Sequence, residues 1–160
     1  MVLFYMAITL RPLALGRHLN FAAGATKRLC QALLAPHDLS LSQWVILSPL
    51  WRGATPTITD LAAFSGNNTP ATSRIVDRMV ERGLLTRTAD PEDRRTVRVG
   101  LTDKGQALSH LATFFEQVNA NLTQGFTQAE TETLFDLLAR VENNARRATT
   151  ATLAPPHPQD

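Results

Sequence analysis

Cysteine is almost absent from this chain: Cys30 stands alone among 160 residues. A single cysteine cannot close a disulfide within the chain, so no disulfide framework holds the fold, and the pattern suits a reducing cytoplasm. Histidine is sparse as well. His18, His37, His110 and His157 are scattered, with no H-x-x-x-H and no Cys/His cluster at ligand spacing, so the sequence predicts no metal site. There is no phosphate loop and no nucleophile motif, and serines, histidines and carboxylates are spread over predicted helices. An enzyme is not expected, and no cofactor is called for. Long apolar runs are missing too. The opening MVLFYMAITL is ten residues long, too short to span a bilayer, and Arg11 follows it where a signal peptide carries its basic residue in front. It reads as an ordered extension, or as a run ahead of a true start at Met6. Net charge is only +2, so bulk charge does not mark a nucleic-acid partner.

The distribution of charge says more than its sum. Residues 66–105 hold 8 of the 16 basic residues, together with six acids, which makes a patterned patch and not a basic tail. The length fits one globular domain, or one domain with helical extensions. From Pro12 to Leu34, apolar residues recur at helical spacing (Leu15, Leu19, Ala22, Leu29, Leu33). Ser40 can cap a second helix carrying Trp44, Val45, Leu47 and Trp51. Thr57-Ile58-Thr59-Asp60 reads as a capping box opening a short helix, and Ser65-Gly66-Asn67-Asn68 is turn chemistry. Thr69 is the predicted cap of the next helix, with Pro70 at its first position and an apolar stripe of Ile75, Val76, Met79 and Val80; Gly83 stops it.

Two strand-like runs follow, at 84–88 and 96–101, joined by an acidic turn into a hairpin. Thr102 is read as the cap of one long helix with an a/d seam of Leu108, Leu111, Phe115, Val118 and Leu122. Thr127-Gln128-Ala129-Glu130 is a second capping box, opening a last helix with Leu134, Leu137, Leu138, Val141 and Ala145. A Pro-rich tail predicted to be disordered starts at Thr149. A short helix, a Gly-containing turn and a second helix make a helix-turn-helix, and a hairpin directly after it is a wing. The fold expected is mainly α with a small β-hairpin wing: a winged helix-turn-helix lobe over 40–101 and a helical dimerisation domain from the two chain ends, 12–36 and 103–148.

The stretch SRIVDRMVERGLLTRTADPEDRRTVRVGLTDKG (73–105) and the earlier LSLSQWVIL (39–47) resemble the MarR family of bacterial winged helix-turn-helix regulators. The likeness covers roughly residues 12–147. Its motifs are T-R-x-V-D-x-L-x-x-R-G-L-V-x-R, then D-P-x-D-R-R, then L-T-x-x-G. The loop at 66–69 departs from them in being richer in asparagine. The resemblance implies a homodimer, an imperfect palindrome of double-stranded DNA as partner, and repression relieved by a small molecule or an oxidant. It implies that Arg94 enters the minor groove while Arg95 braces the wing.

The residues themselves support such a reading. Ser73, Arg74, Asp77, Arg78 and Glu81 lie opposite the apolar stripe. Arg74, one turn into the helix, can fork onto guanine O6 and N7, whereas Arg78 is better placed for phosphate. Thr69, Thr72 and Ser73 can donate to phosphates or bases. A narrow hairpin tip bearing arginine suits the negative potential of a minor groove, with Asp93 paired to an arginine of the same lobe to hold the tip's shape. Arg87 and Arg98, on the strands, read as partners in salt bridges or in distal phosphate contacts, and Arg82 as a charge at the helix C-terminus. The resemblance implies an effector pocket for an aromatic or phenolic small molecule at the lobe junction, with His18 and Trp44 as its candidates. Cys30 reads as a core residue. The functional expectation is a cytoplasmic, DNA-binding, ligand-released repressor. The alternatives are an oxidant sensor acting through Cys30 and a winged-helix module for protein interaction.

Overall fold

Side-chain caps set where most of the helices begin. A computed structural model of the chain describes residues 14–90, 93 and 96–153. Helix α1 runs over Leu15–Leu34, α2 over Leu41–Trp51, α3 over Ile58–Ser65 and α4 over Thr69–Glu81. Strands β1 (Leu85–Ala89) and β2 (Val97–Leu101) follow, then α5 (Asp103–Gln106), α6 (Phe114–Leu122) and α7 (Gln128–Leu153). Ser40 and Gln43 form a full capping box at α2, and Thr57 and Asp60 form one at α3. Thr127 and Glu130 do the same before α7. Each box satisfies amide donors that a helix start leaves orphaned. The α4 cap differs from expectation. Asn68 is the capping residue, its Oδ1 accepting from Ala71 N at 2.9 Å, and Thr69 is already the first helical residue. Asparagine outranks threonine as a cap, and the two compete for adjacent positions here.

The Thr57–Asp60 box gives a pH-dependent expectation. The Asp60 carboxylate accepts from Thr57 N (2.9 Å) and from Thr57 Oγ1 (2.8 Å), and the backbone bond first, then the hydroxyl, holds its pKa below the ordinary aspartate value. A depressed folded pKa means stability that is present above the unfolded value of about 3.9 and lost as pH falls through the folded one. Thr57→Ala should cost about 1 kcal/mol at neutral pH. Urea melts at descending pH should show the carboxylate's share of that penalty vanishing only below about pH 4; a penalty that is the same at pH 2 would mean the carboxylate contributes nothing.

The hairpin is antiparallel, with Leu85 opposite Leu101 and Arg87 opposite Val99. A further short pairing was not anticipated: Thr57 bridges Arg98, and Val99 N donates to Pro56 O at 2.9 Å. The residues just before α3 thus add a third strand segment to the root of the wing. One buried cluster holds the lobe together. It takes Cys30 and Leu34 from α1, Ile46, Leu47 and Leu50 from α2, Leu61 from α3, Val76 and Met79 from α4, Leu84, Leu85 and Val99 from the hairpin, and Leu111, Phe114 and Val118 beyond it.

The long helix expected after Thr102 is broken. Thr102 caps only the short α5, a 3-10 turn occupies Ser109–Thr113, and α6 starts at Phe114. Two indoles sit at the break. Trp51 Nε1 donates to Gly105 O at 3.0 Å and Trp44 Nε1 to Leu111 O at 2.8 Å. With carbonyls claimed from α2, the chain tightens to i−3 bonds such as Leu111 N to Leu108 O. The supposed seam is also divided. Leu111 and Val118 face the lobe's own core, while Phe115 and Leu122 are exposed.

The chain separates into two compact units, with Val118 ending the first and Asn119 opening the second. In the second, α7 buries none of its residues, and Leu134, Phe135, Leu137 and Leu138 stand exposed. The helix continues through 149–153, into the segment expected to be disordered, where the hydroxyls of Thr149, Thr150 and Thr152 donate to carbonyls one turn back. Three threonines of modest helix propensity are accommodated there, their hydroxyls bonded back to helix carbonyls. The apolar opening segment and the Pro-rich end from 154 lie outside the described residues.

Candidate nucleic-acid interface

The helix-turn-helix is α3, the turn at 66–68 and α4. Helix α4 is amphipathic for a simple reason: Thr72, Val76 and Met79 follow helical spacing and all three are fully buried. Thr72 was read as a DNA donor, and the structure corrects this. Its side chain lies on the core face, and its Oγ1 is buried without a hydrogen-bond partner. Thr69 is exposed at the helix start, and Ser73 is half-buried. Arg74, Asp77, Arg78 and Glu81 form the exposed face.

Most basic side chains of the lobe are already engaged. Arg87, on β1, pairs with Asp77 Oδ1 at 2.7 Å and donates to Ser73 Oγ at 3.1 Å, pinning the hairpin to α4. Arg82, the C-cap of α4, reaches Asp38 Oδ2 at 2.5 Å and Asp38 O at 2.8 Å. Arg98 binds Asp90 Oδ2 at 2.5 Å and Thr55 O at 2.8 Å. Lys104 Nζ donates to Arg82 O at 2.9 Å. Of the two expectations for Arg87 and Arg98, salt bridge or distal phosphate contact, these bonds display the first, and Arg82 sits at the helix C-terminus as expected. Arg74 and Arg78 make no hydrogen bond or ion pair with any described residue. They are four residues apart on one exposed face, and the first turn of α4 carries no acid.

At the wing, Arg94 and Arg95 lie outside the described residues. Asp93 accepts from Thr96 Oγ1 at 2.9 Å, and its carbonyl takes Thr96 N at 2.8 Å. At the wing root Asp90, which is buried, is bound to Arg98. Sequence reasoning passed over it. The signal was available: Thr88 opposes Arg98, so residue 90 shares a face with Arg98 along the diagonal. Ser42 and Gln43 were also missed. With Ser40, Ile75 and Arg78 they line a shallow hollow where the start of α2 meets α4.

The effector candidates fall on separate elements. His18 is exposed on the first turn of α1, and Trp44 packs against Phe114 with ring centroids 5.0 Å apart. Cys30 is buried in the core, and burial pushes its thiol pKa upward, away from the reactive thiolate. Among the described residues no group of three or more His, Cys, Asp and Glu could hold a metal ion. None of the described helices is long and apolar enough to cross a membrane.

This arrangement of lobe, hairpin and flanking helices has close counterparts. The MarR family model matches residues 39–97. The reduced form of MarR from E. coli is 30% identical, with a TM-score of 0.68, over 82% of this chain and 98% of that one. The chain belongs to the MarR family. A cysteine-to-serine variant of MarR from E. coli, complexed with operator DNA, is 29% identical with a TM-score of 0.72, covering 79% of this chain and 92% of its own. BpsR of Bordetella bronchiseptica, whose DNA binding is regulated by 6-hydroxynicotinic acid, is 26% identical with a TM-score of 0.73, covering 81% and 93%. The family is one of transcriptional regulators, and its winged-helix fold is the one described above. Two of its motif positions acquire physical reasons here. The glycine of R-G-L is Gly83, at φ +68°, where a side chain would be strained. The glycine of L-T-x-x-G is Gly105, which lies against the backbone of Leu84.

Proposed function

We propose that this chain is a homodimeric repressor that binds a palindromic operator through α4 and the wing and is released by a small aromatic or phenolic effector. The observation that carries this reading is the contrast among the arginines. Arg82, Arg87 and Arg98 are engaged by internal partners, while Arg74 and Arg78 project from α4 with no hydrogen-bond or ion-pair partner among the described residues. Unpaired arginines four residues apart on a helix-turn-helix are disposed for a major groove and its phosphates. The operator complex of E. coli MarR and the ligand-regulated DNA binding of BpsR support the same reading for a relative of this similarity. An enzyme role has no support in the residues, and a cytoplasmic location follows from a DNA partner. Arg74, Arg78, Thr69, Ser73 and the wing arginines are the proposed contacts, with His18 and Trp44 the pocket candidates.

Dimerisation rests on α7. An amphipathic helix of 26 residues with Leu134, Phe135, Leu137 and Leu138 exposed needs a partner surface. Sedimentation at micromolar concentration should give a dimer, and a monomer would refute the assembly. Arg94→Ala should remove one minor-groove contact per wing, weakening operator binding by roughly 1–3 kcal/mol per wing while leaving the melting curve unchanged. Operator binding as tight as wild type would remove the wing from the interface. Binding of the wild-type protein to duplex DNA should fall steeply with salt; a flat dependence would favour the protein-interaction module instead.

A further inference from the structure

Two of the scattered histidines meet. His37 lies in the 3-10 turn Ala35–His37 between α1 and α2, and His110 in the 3-10 turn Ser109–Thr113 beyond the wing. Their ring centroids are 5.2 Å apart, with the planes tilted by 56°. The tilt rules out a stacked pair. His110 Nδ1 lies 3.2 Å from Ala107 O. A carbonyl only accepts, so Nδ1 carries the hydrogen, and the neutral ring therefore presents its lone pair at Nε2. Fixing one nitrogen on a backbone carbonyl is the usual outer-shell arrangement of a metal-binding histidine.

The spacing fits chelation. A metal–nitrogen bond of about 2.05 Å plus about 1.1 Å from nitrogen to ring centre places each centroid about 3.15 Å from a shared ion. At a tetrahedral angle the two centroids are then about 5.1 Å apart, and at a square-planar angle about 4.5 Å. The observed separation matches the first closely and is within a small rotation of the second.

We propose that His37 and His110 form a two-imidazole site for a borderline divalent transition ion, Cu(II), Ni(II) or Zn(II). Among the described residues no third histidine, cysteine or carboxylate completes a larger group, so water fills the remaining positions. Two neutral nitrogen ligands select these ions over magnesium and calcium, which want oxygen, and the order of affinity should run with copper tightest. The ion would tie the α1–α2 junction to the turn before α6, segments 73 residues apart in sequence. Binding to the folded state alone also stabilises that state.

The test is calorimetric titration of the untagged full-length protein with Cu(II), Ni(II) and Zn(II) chlorides. The proposal expects one ion per chain, no heat with Mg(II), and an upward shift of the thermal midpoint on adding Zn(II). His37→Gln and His110→Gln should each weaken binding at least tenfold, while a His18→Gln/His157→Gln double variant binds as wild type. The Cu(II) spectrum in electron paramagnetic resonance should show two coupled nitrogens in the wild type and one in either single variant. Circular dichroism of each variant separates a lost site from a lost fold. Unchanged binding in either single variant, loss in the His18/His157 double variant, or a wild-type copper spectrum without paired nitrogen coupling overturns the site.

Discussion

Gly105→Ala is expected to destabilise the lobe by about 3 kcal/mol, the upper part of the range for forcing an extra methyl group into a packed site. A Cβ at this position would overlap the carbonyl oxygen of Leu84 and lie 3.1 Å from Leu101 Cδ2. The obstacle is backbone, which cannot swing aside as a side-chain end can. The neighbourhood is tied in from several directions. Gly105 N donates to Thr102 Oγ1 at 3.1 Å, Thr102 Oγ1 donates to Gly83 O at 2.6 Å, and Gly105 O accepts from Trp51 at 3.0 Å. Relieving the overlap therefore means moving the wing root or giving up the indole bond. Gly16→Ala is the control. Nothing lies within 4 Å of a Cβ there, and the position is in the first turn of α1, so alanine should stabilise by less than the roughly 0.5–1 kcal/mol of a helix interior. Urea melts of the two variants should move in opposite directions. A Gly105→Ala midpoint equal to wild type would show that the close approach relaxes at no cost.

How far the sequence carries depends on the range of the forces involved. Helix starts at Ser40, Thr57 and Thr127 were legible because a cap and its partner lie three residues apart in sequence. The hairpin was legible because alternation and a turn are local too. What escaped were pairings across long separations. The Thr57–Arg98 bridge, the indole bonds from Trp44 and Trp51, and the meeting of His37 with His110 each join segments at least forty residues apart. The break in the predicted long helix belongs with them, since leucines at coiled-coil spacing look the same whether they face a partner chain or, like Leu111, the lobe's own core. The error at Thr72 is of another kind. A threonine is polar, and chemistry alone assigned it outward, but its place in the 72, 76, 79 series was the stronger signal, and helical periodicity overrides polarity when the residue is small. At the candidate interface, the sequence singled out α4 and two arginines on it, Arg74 and Arg78, that the structure leaves exposed. It left open whether Arg87 and Arg98 pair internally or reach phosphate, because that depends on partners from α4, from the segment before α3 and from the wing root.

Arg74→Ala should lower operator affinity by about 1–3 kcal/mol and relax preference at one base pair in each half-site. Arg74 is exposed within the first turn and a half of α4, where a recognition helix meets base edges. Its guanidinium stays charged at any working pH, and its two-pronged donor geometry matches guanine O6 and N7 and no other base. Since Arg74 has no hydrogen-bond or ion-pair partner among the described residues, its removal is expected to leave the melting curve unaffected. That separates it from Arg87, whose loss would release Asp77 and Ser73 and so confound binding with folding. Arg78, one turn further on beside Ser42 and Gln43, is the contrasting case. Arg78→Ala should weaken all duplexes alike and reduce the salt slope by about one charge per subunit, as a phosphate contact does. Binding series on single-base operator variants at fixed salt distinguish the two. If Arg74→Ala weakens every variant by the same factor, Arg74 holds phosphate only. Base reading would then fall to Thr69 and Ser73 or to the shape of the DNA, since Thr72 is buried and cannot supply it.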